Sequence, residues 1–142
     1  MMMMRSLQDR PRIYVTTHDY ERLSALADVY KSRRRGALVD FLMAELERAE
    51  LVPAAEVGRK VVTMNTRARI EDPETGESRT VTLVFPGEED SMRGEVSVLT
   101  PLGTALLGLR EGARMEGRTL DGRTKSVEVI EVQYQPETPG LR

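Results

Sequence analysis

The rhythm of apolar and polar positions changes once along this chain, near residue 52. Before that point apolar residues recur three or four apart. After it, short runs rich in Val, Thr and Ile alternate with turn signals. Ile13, Tyr14 and Val15 lead into Thr16, Thr17 and His18. Thr17 reads as a helix N-cap, and Asp19 and Glu21 suit the positive end of a helix. Tyr20, Leu23, Leu26 (or Ala27) and Tyr30 then fall on one helical face. Leu38, Leu42, Leu46 and Ala49 repeat the pattern in a second helix, while Val39 and Phe41 fall off its stripe. Two such helices joined by a short polar connection predict an antiparallel hairpin, a short coiled coil. Each helix runs roughly 13 residues, about 20 Å at 1.5 Å per residue. Neither would be stable alone at that length.

The second part predicts strands over 61–71, 79–85, 96–99, 113–120 and 124–132. Asp72 to Gly76 and Asp121-Gly122 are turn signals. Val127, Val129 and the pair Ile130/Val132 alternate with a slip near the middle. Thr100 and Pro101 fit the N-cap and first position of a short helix. Leu102, Ala105, Leu106 and Leu109 form its apolar face, and Gly108 suits its end. The expected fold class is α+β: a helical hairpin over 13–51, a linker over 52–59, and an antiparallel sheet with one helix over 60–135. Residues 1–12 read as disordered and 136–142 as a loose tail.

Composition narrows the chemistry. The 142 residues contain no Cys and one His, His18. A disulfide framework, a thiolate metal site, a cysteine nucleophile and any site needing two imidazoles are therefore excluded within the chain. Apolar runs never exceed four residues, so no membrane helix is expected, and the chain reads as cytoplasmic. The net charge of −2 argues against general nucleic-acid binding. It is unevenly spread: +1 up to residue 59 and −3 beyond it. Lys31, Arg33, Arg34 and Arg35 cluster at the expected hairpin tip. Glu88, Glu89 and Asp90 form an acidic loop read as solvated, and His18 reads as a surface or capping residue.

The run Ser97-Val98-Leu99-Thr100-Pro101-Leu102-Gly103-Thr104-Ala105-Leu106-Leu107-Gly108, with Glu111-Gly112 and Glu128-Val129-Ile130-Glu131-Val132, resembles the C-terminal domain of GreA/GreB transcript-cleavage factors. Arg10-Pro11-Arg12-Ile13, Val61-Val62-Thr63-Met64-Asn65-Thr66-Arg67 and Tyr134-Gln135-Pro136-Glu137 bring the resemblance closer to their Rnk relatives, regulators of nucleoside diphosphate kinase. It spans residues 10 to 137. The resemblance implies an FKBP-like domain that docks at the secondary-channel rim of bacterial RNA polymerase, with the hairpin pointing into the channel. In GreA and GreB a longer hairpin carries acidic residues that help hold a metal ion at the polymerase active site.

At the tip this chain departs from that pattern. Lys31-Ser32-Arg33-Arg34-Arg35-Gly36 has no carboxylate, and Asp28 and Asp40 sit a turn back. Four cations would repel a metal ion. The expectation is a non-enzymatic regulator that competes with Gre-type factors without stimulating cleavage. It has no catalytic residue, metal or cofactor. Leu99, Thr100 and Pro101 match the polymerase-facing turn, although Leu99 stands where Gre factors tend to carry a polar or acidic residue. The plain alternative is that Thr100 and Pro101 simply start a helix. The basic tip would face acidic polymerase surface or nucleic acid in the channel, or be a solvated turn. A monomer is expected over a dimer. The competing functions are an FKBP-like prolyl isomerase, which would need an apolar pocket built from Phe85 and Tyr134, and an interaction adaptor, including an effect on nucleoside diphosphate kinase.

Overall fold

A computed structural model describes residues 10–31, 36–118 and 123–139, with the side chains of 117 and 118 left aside. The fold is mixed α+β. Strand β1 (Tyr14–Thr16) runs into helix α1 (Thr17–Lys31), and α2 (Gly36–Arg48) runs into β2 (Glu50–Val52). The helix cap is Thr16 rather than the expected Thr17: its Oγ1 accepts the Asp19 amide at 3.0 Å. Thr16 wins because it ends an extended strand, and a cap residue needs extended backbone.

The two helices pack on each other and share one apolar core with the rest of the chain through Leu23, Ala27, Val39, Leu42 and Leu46. Val39, off the sequence-derived stripe, is fully buried, while Phe41 is 41% exposed. The sheet domain covers a second side of α2, which a single-stripe reading does not anticipate. Residues 10–12, expected to be disordered, are tied to α2. Arg10 and Arg48 both reach the buried Glu45 carboxylate, and Arg48 also donates to the Pro11 carbonyl at 2.7 Å.

β1 and β2 form a parallel two-stranded ribbon. The other five strands are β3 (Arg67–Glu71), β4 (Ser78–Val84), β5 (Glu95–Ser97), β6 (Arg114–Arg118) and β7 (Thr124–Tyr134). They form one sheet in the order β5-β4-β3-β7-β6. Its pairings are antiparallel except β4 with β5, which is parallel. That exception to the expected antiparallel sheet arises because the acidic loop, with a 3₁₀ turn at Ser91–Arg93, carries the chain back along the edge. The expected strand from 61 begins only at 67. Asn65 adopts a left-handed φ of 67°, which breaks extended backbone before the strand. The slip read in β7 is a β-bulge: Arg69 pairs with Glu131, but Ile70 pairs with Val129, skipping Ile130. Val127, Val129 and Val132 thereby all face inward.

Helix α3 (Pro101–Leu106) packs beside β6 and α2. It ends at Leu106, so the expected Leu109 lies beyond it, and Gly108 follows with a φ of 79° and its carbonyl against β1. The Tyr14 amide donates to that carbonyl at 3.0 Å, and the Gly108 amide donates to Val62 at 2.8 Å. A Cβ on Gly108 would meet the Ile13 Cβ at 2.8 Å. The core is continuous from Ile13 to Val132.

Candidate functional site

The sequence-derived turn is built from side chains bonding their own backbone. Ser97 Oγ accepts the Leu99 amide at 3.1 Å. Thr100 Oγ1 accepts the Gly103 amide at 3.0 Å and donates to the Ser97 carbonyl at 2.7 Å. Thr104 Oγ1 closes the far side on the Val98 carbonyl at 2.7 Å. Gly103 lets the helix press against the preceding strand: a Cβ there would lie 2.0 Å from the Ser97 carbonyl oxygen. The backbone of 97–104 is therefore rigid before anything binds.

This geometry divides the three candidates. The Leu99 side chain is in the core, 3% exposed. Thr100 and Pro101 are half-buried, and both hydrogen-bonding roles of the Thr100 hydroxyl are used inside the turn. The surface here consists of Pro101 and Leu102, both half-buried, and backbone. At the other candidate region, Lys31 is exposed at the end of α1. Arg33, Arg34 and Arg35 lie outside the described residues. Asp28 and Asp40 are exposed on the helices. Among the described residues no group of three or more His, Asp or Glu side chains converges as a metal site. In the acidic loop, Glu89 accepts the Gly87 amide and Asp90 accepts the Met92 amide, so both shape their own turns.

Sequence reasoning missed a polar corner that joins α1 to the sheet. Asp19 is 5% exposed, and its Oδ2 accepts the Met64 amide at 3.2 Å. Next to it, Thr63 Oγ1 donates to Glu137 at 2.6 Å and bonds Thr66 Oγ1 at 2.8 Å. Gln135, fully buried, donates to the carbonyls of Gly58 and Val61, and Thr138 donates to its Oε1. These contacts hold the first residues of the expected loose tail. Burial pushes the Asp19 carboxyl above its usual range, and the Glu137 carboxylate pushes it the same way. The Met64 amide, His18 and Thr16 pull against them. The spacing Thr16-Thr17-His18-Asp19, a capping-box pattern, was the available signal for Asp19.

Comparison with known proteins divides the chain in two. Residues 57–134 match the family model of the transcription elongation factor GreA/GreB C-terminal domain, and residues 11–52 match the Rnk N-terminus. The regulator of nucleoside diphosphate kinase of Escherichia coli K12 is 37% identical over 92% of this chain and 96% of its own length. Transcription elongation factor GreA of Azorhizobium caulinodans is 28% identical over 89% of this chain and 84% of its own. A solved structure of a GreA/GreB elongation factor from Nitrosomonas europaea superposes with a TM-score of 0.66 at 35% identity. That match covers 88% of this chain and all of the other. With both family segments present in order and a relative matched over almost its full length, the chain belongs to the Rnk family, built on a GreA/GreB C-terminal domain.

Proposed function

We propose that this protein binds RNA polymerase at the rim of the secondary channel, excludes Gre-type factors from that site, and does not stimulate transcript cleavage. The carrying observation is the charge between the helices: from Lys31 to Gly36 the chain has four cations and no carboxylate. A hard metal ion is held by oxygen ligands, and clustered ammonium and guanidinium groups repel it. Helices of 15 and 13 residues also reach only about 20 Å at 1.5 Å per residue. The relatives are named as a regulator and as elongation factors, which supports a role in transcription over catalysis. On this reading Thr100 and Pro101 present the docking turn, Leu99 anchors it from beneath, and the cations from Lys31 to Arg35 face acidic surface or nucleic acid inside the channel. The isomerase alternative draws no support from its two aromatic rings. Phe85 is buried with the Arg22 guanidinium 4.0 Å from its ring centre, and Tyr134 is exposed with Arg67 at 5.9 Å.

The test is a titration of labelled GreB bound to core RNA polymerase, with transcript cleavage read in the same tubes. Displacement of GreB with loss of cleavage, and no cleavage by this protein alone, is the expected result. Retention of GreB at high excess overturns the proposal.

A further inference from the structure

Helix α1 meets the sheet domain at two polar points one turn apart. At its first turn the Asp19 carboxylate reaches away from the helix to the Met64 amide, 45 residues later in the chain. Three residues on, the Arg22 guanidinium lies 4.0 Å from the centre of the Phe85 ring at the end of β4. The amide Asp19 holds is next to Thr63, which is itself bonded to Glu137 in the segment after β7. Three distant parts of the chain thus meet at one buried corner. One buried hydrogen bond and one cation–ring contact, a turn apart, constrain the direction of the helix more specifically than the non-directional apolar contacts of Leu23 and Ala27.

We propose that Asp19 and Arg22 are positioning residues that set the direction in which the α1–α2 pair leaves the sheet domain, and so where the end of α1 at Lys31 and the start of α2 at Gly36 lie. The choice of residue supports this. A carboxylate buried near a second carboxylate is a costly way to hold a helix, and an apolar side chain would pack there without that cost. What the carboxylate adds is one specific partner at one distance. The orientation claim stands on geometry alone. Its consequence for polymerase rests on the proposed function.

The chain has no cysteine, so introduced ones are clean labelling sites. Spin labels at Asp28→Cys on α1 and Glu77→Cys in the turn before β4, both exposed, report the angle by double electron–electron resonance. The expected result is a narrow distance distribution in the parent, a broader one in Asp19→Ala or Arg22→Ala, and the broadest in the double variant, all at unchanged far-ultraviolet circular dichroism. Asp19→Asn keeps a carbonyl for the Met64 amide and restores the narrow distribution, an effect that lost burial alone would not give. An unchanged distribution in the double variant overturns the proposal, as does an Asp19→Asn distribution as broad as that of Asp19→Ala. In the GreB titration the double variant should need more protein for half-displacement. If the parent itself fails to displace GreB, the polymerase reading falls, and the distance distributions still decide the orientation.

Discussion

Helices α1 and α3 both start on a threonine that accepts the amide three residues ahead, Thr16 from Asp19 and Thr100 from Gly103. The two starts then diverge. Thr100 returns its own proton to the Ser97 carbonyl, and every side-chain hydrogen bond in that turn stays within seven residues. At Thr16 the third residue carries an acid that leaves the helix and bonds Met64. The first arrangement is closed on itself and rigid; the second is a joint between parts of the molecule. A helix cap can therefore be purely local or carry tertiary structure, and the residue at its third position decides which.

The largest effect should come from breaking the closed turn. Gly103→Ala places a Cβ against the Ser97 carbonyl and the Val98 Cα, both backbone that cannot swing away. It should cost about 3 kcal/mol and lower Tm by about 10 °C in thermal melts. Next come the caps. Thr16→Ala and Thr100→Ala should each cost about 1–2 kcal/mol in urea unfolding. Combined with Asp19→Ala they should separate: Thr100→Ala adds to within about 0.5 kcal/mol because no hydrogen-bond partner is shared, whereas Thr16→Ala does not add. Equal coupling in both cycles would erase the difference between the two caps. The smallest effect is in pH. Burial raises the Asp19 carboxyl above the ordinary carboxylate range in the folded state. The folded protein therefore binds more protons than the unfolded chain between the ordinary and the raised value, and this group's contribution to stability falls as pH rises through that window. Asp19→Asn should remove that slope. Its stability advantage over the parent should be full above the folded pKa and shrink as pH falls toward the ordinary carboxyl value. A parent and variant with parallel stability–pH curves would contradict it.

The same divide explains how much the sequence revealed. The α3 turn was legible because Thr100, Pro101 and Gly108 are local signals within one short stretch. The β7 bulge was legible because a skipped residue moves the inward Val positions by one, from Val129 to Val132. The β1–β2 ribbon was not: three-residue strands are too short to show a period, and their partners lie 36 residues apart. Val39 falls off the stripe because a helix covered on two sides has no single stripe. In the candidate site, Leu99 was found by family resemblance but its burial was not, since a strand end and a loop look alike in sequence. Asp19 shows in the sequence only as a favourable charge at a helix end, because nothing local names Met64 as its partner.

The carbonyl of Gly108 carries one further consequence. It is the acceptor for the first strand's Tyr14 amide, while Gly108 itself leans on Val62. The border between the two family segments, residues 52 to 57, therefore does not separate two folding units. During synthesis the helical pair emerges from the ribosome first, yet the strand that roots it has no partner on this edge until residue 108 has been made. The amino-terminal third must wait, incompletely anchored, for the last third to arrive.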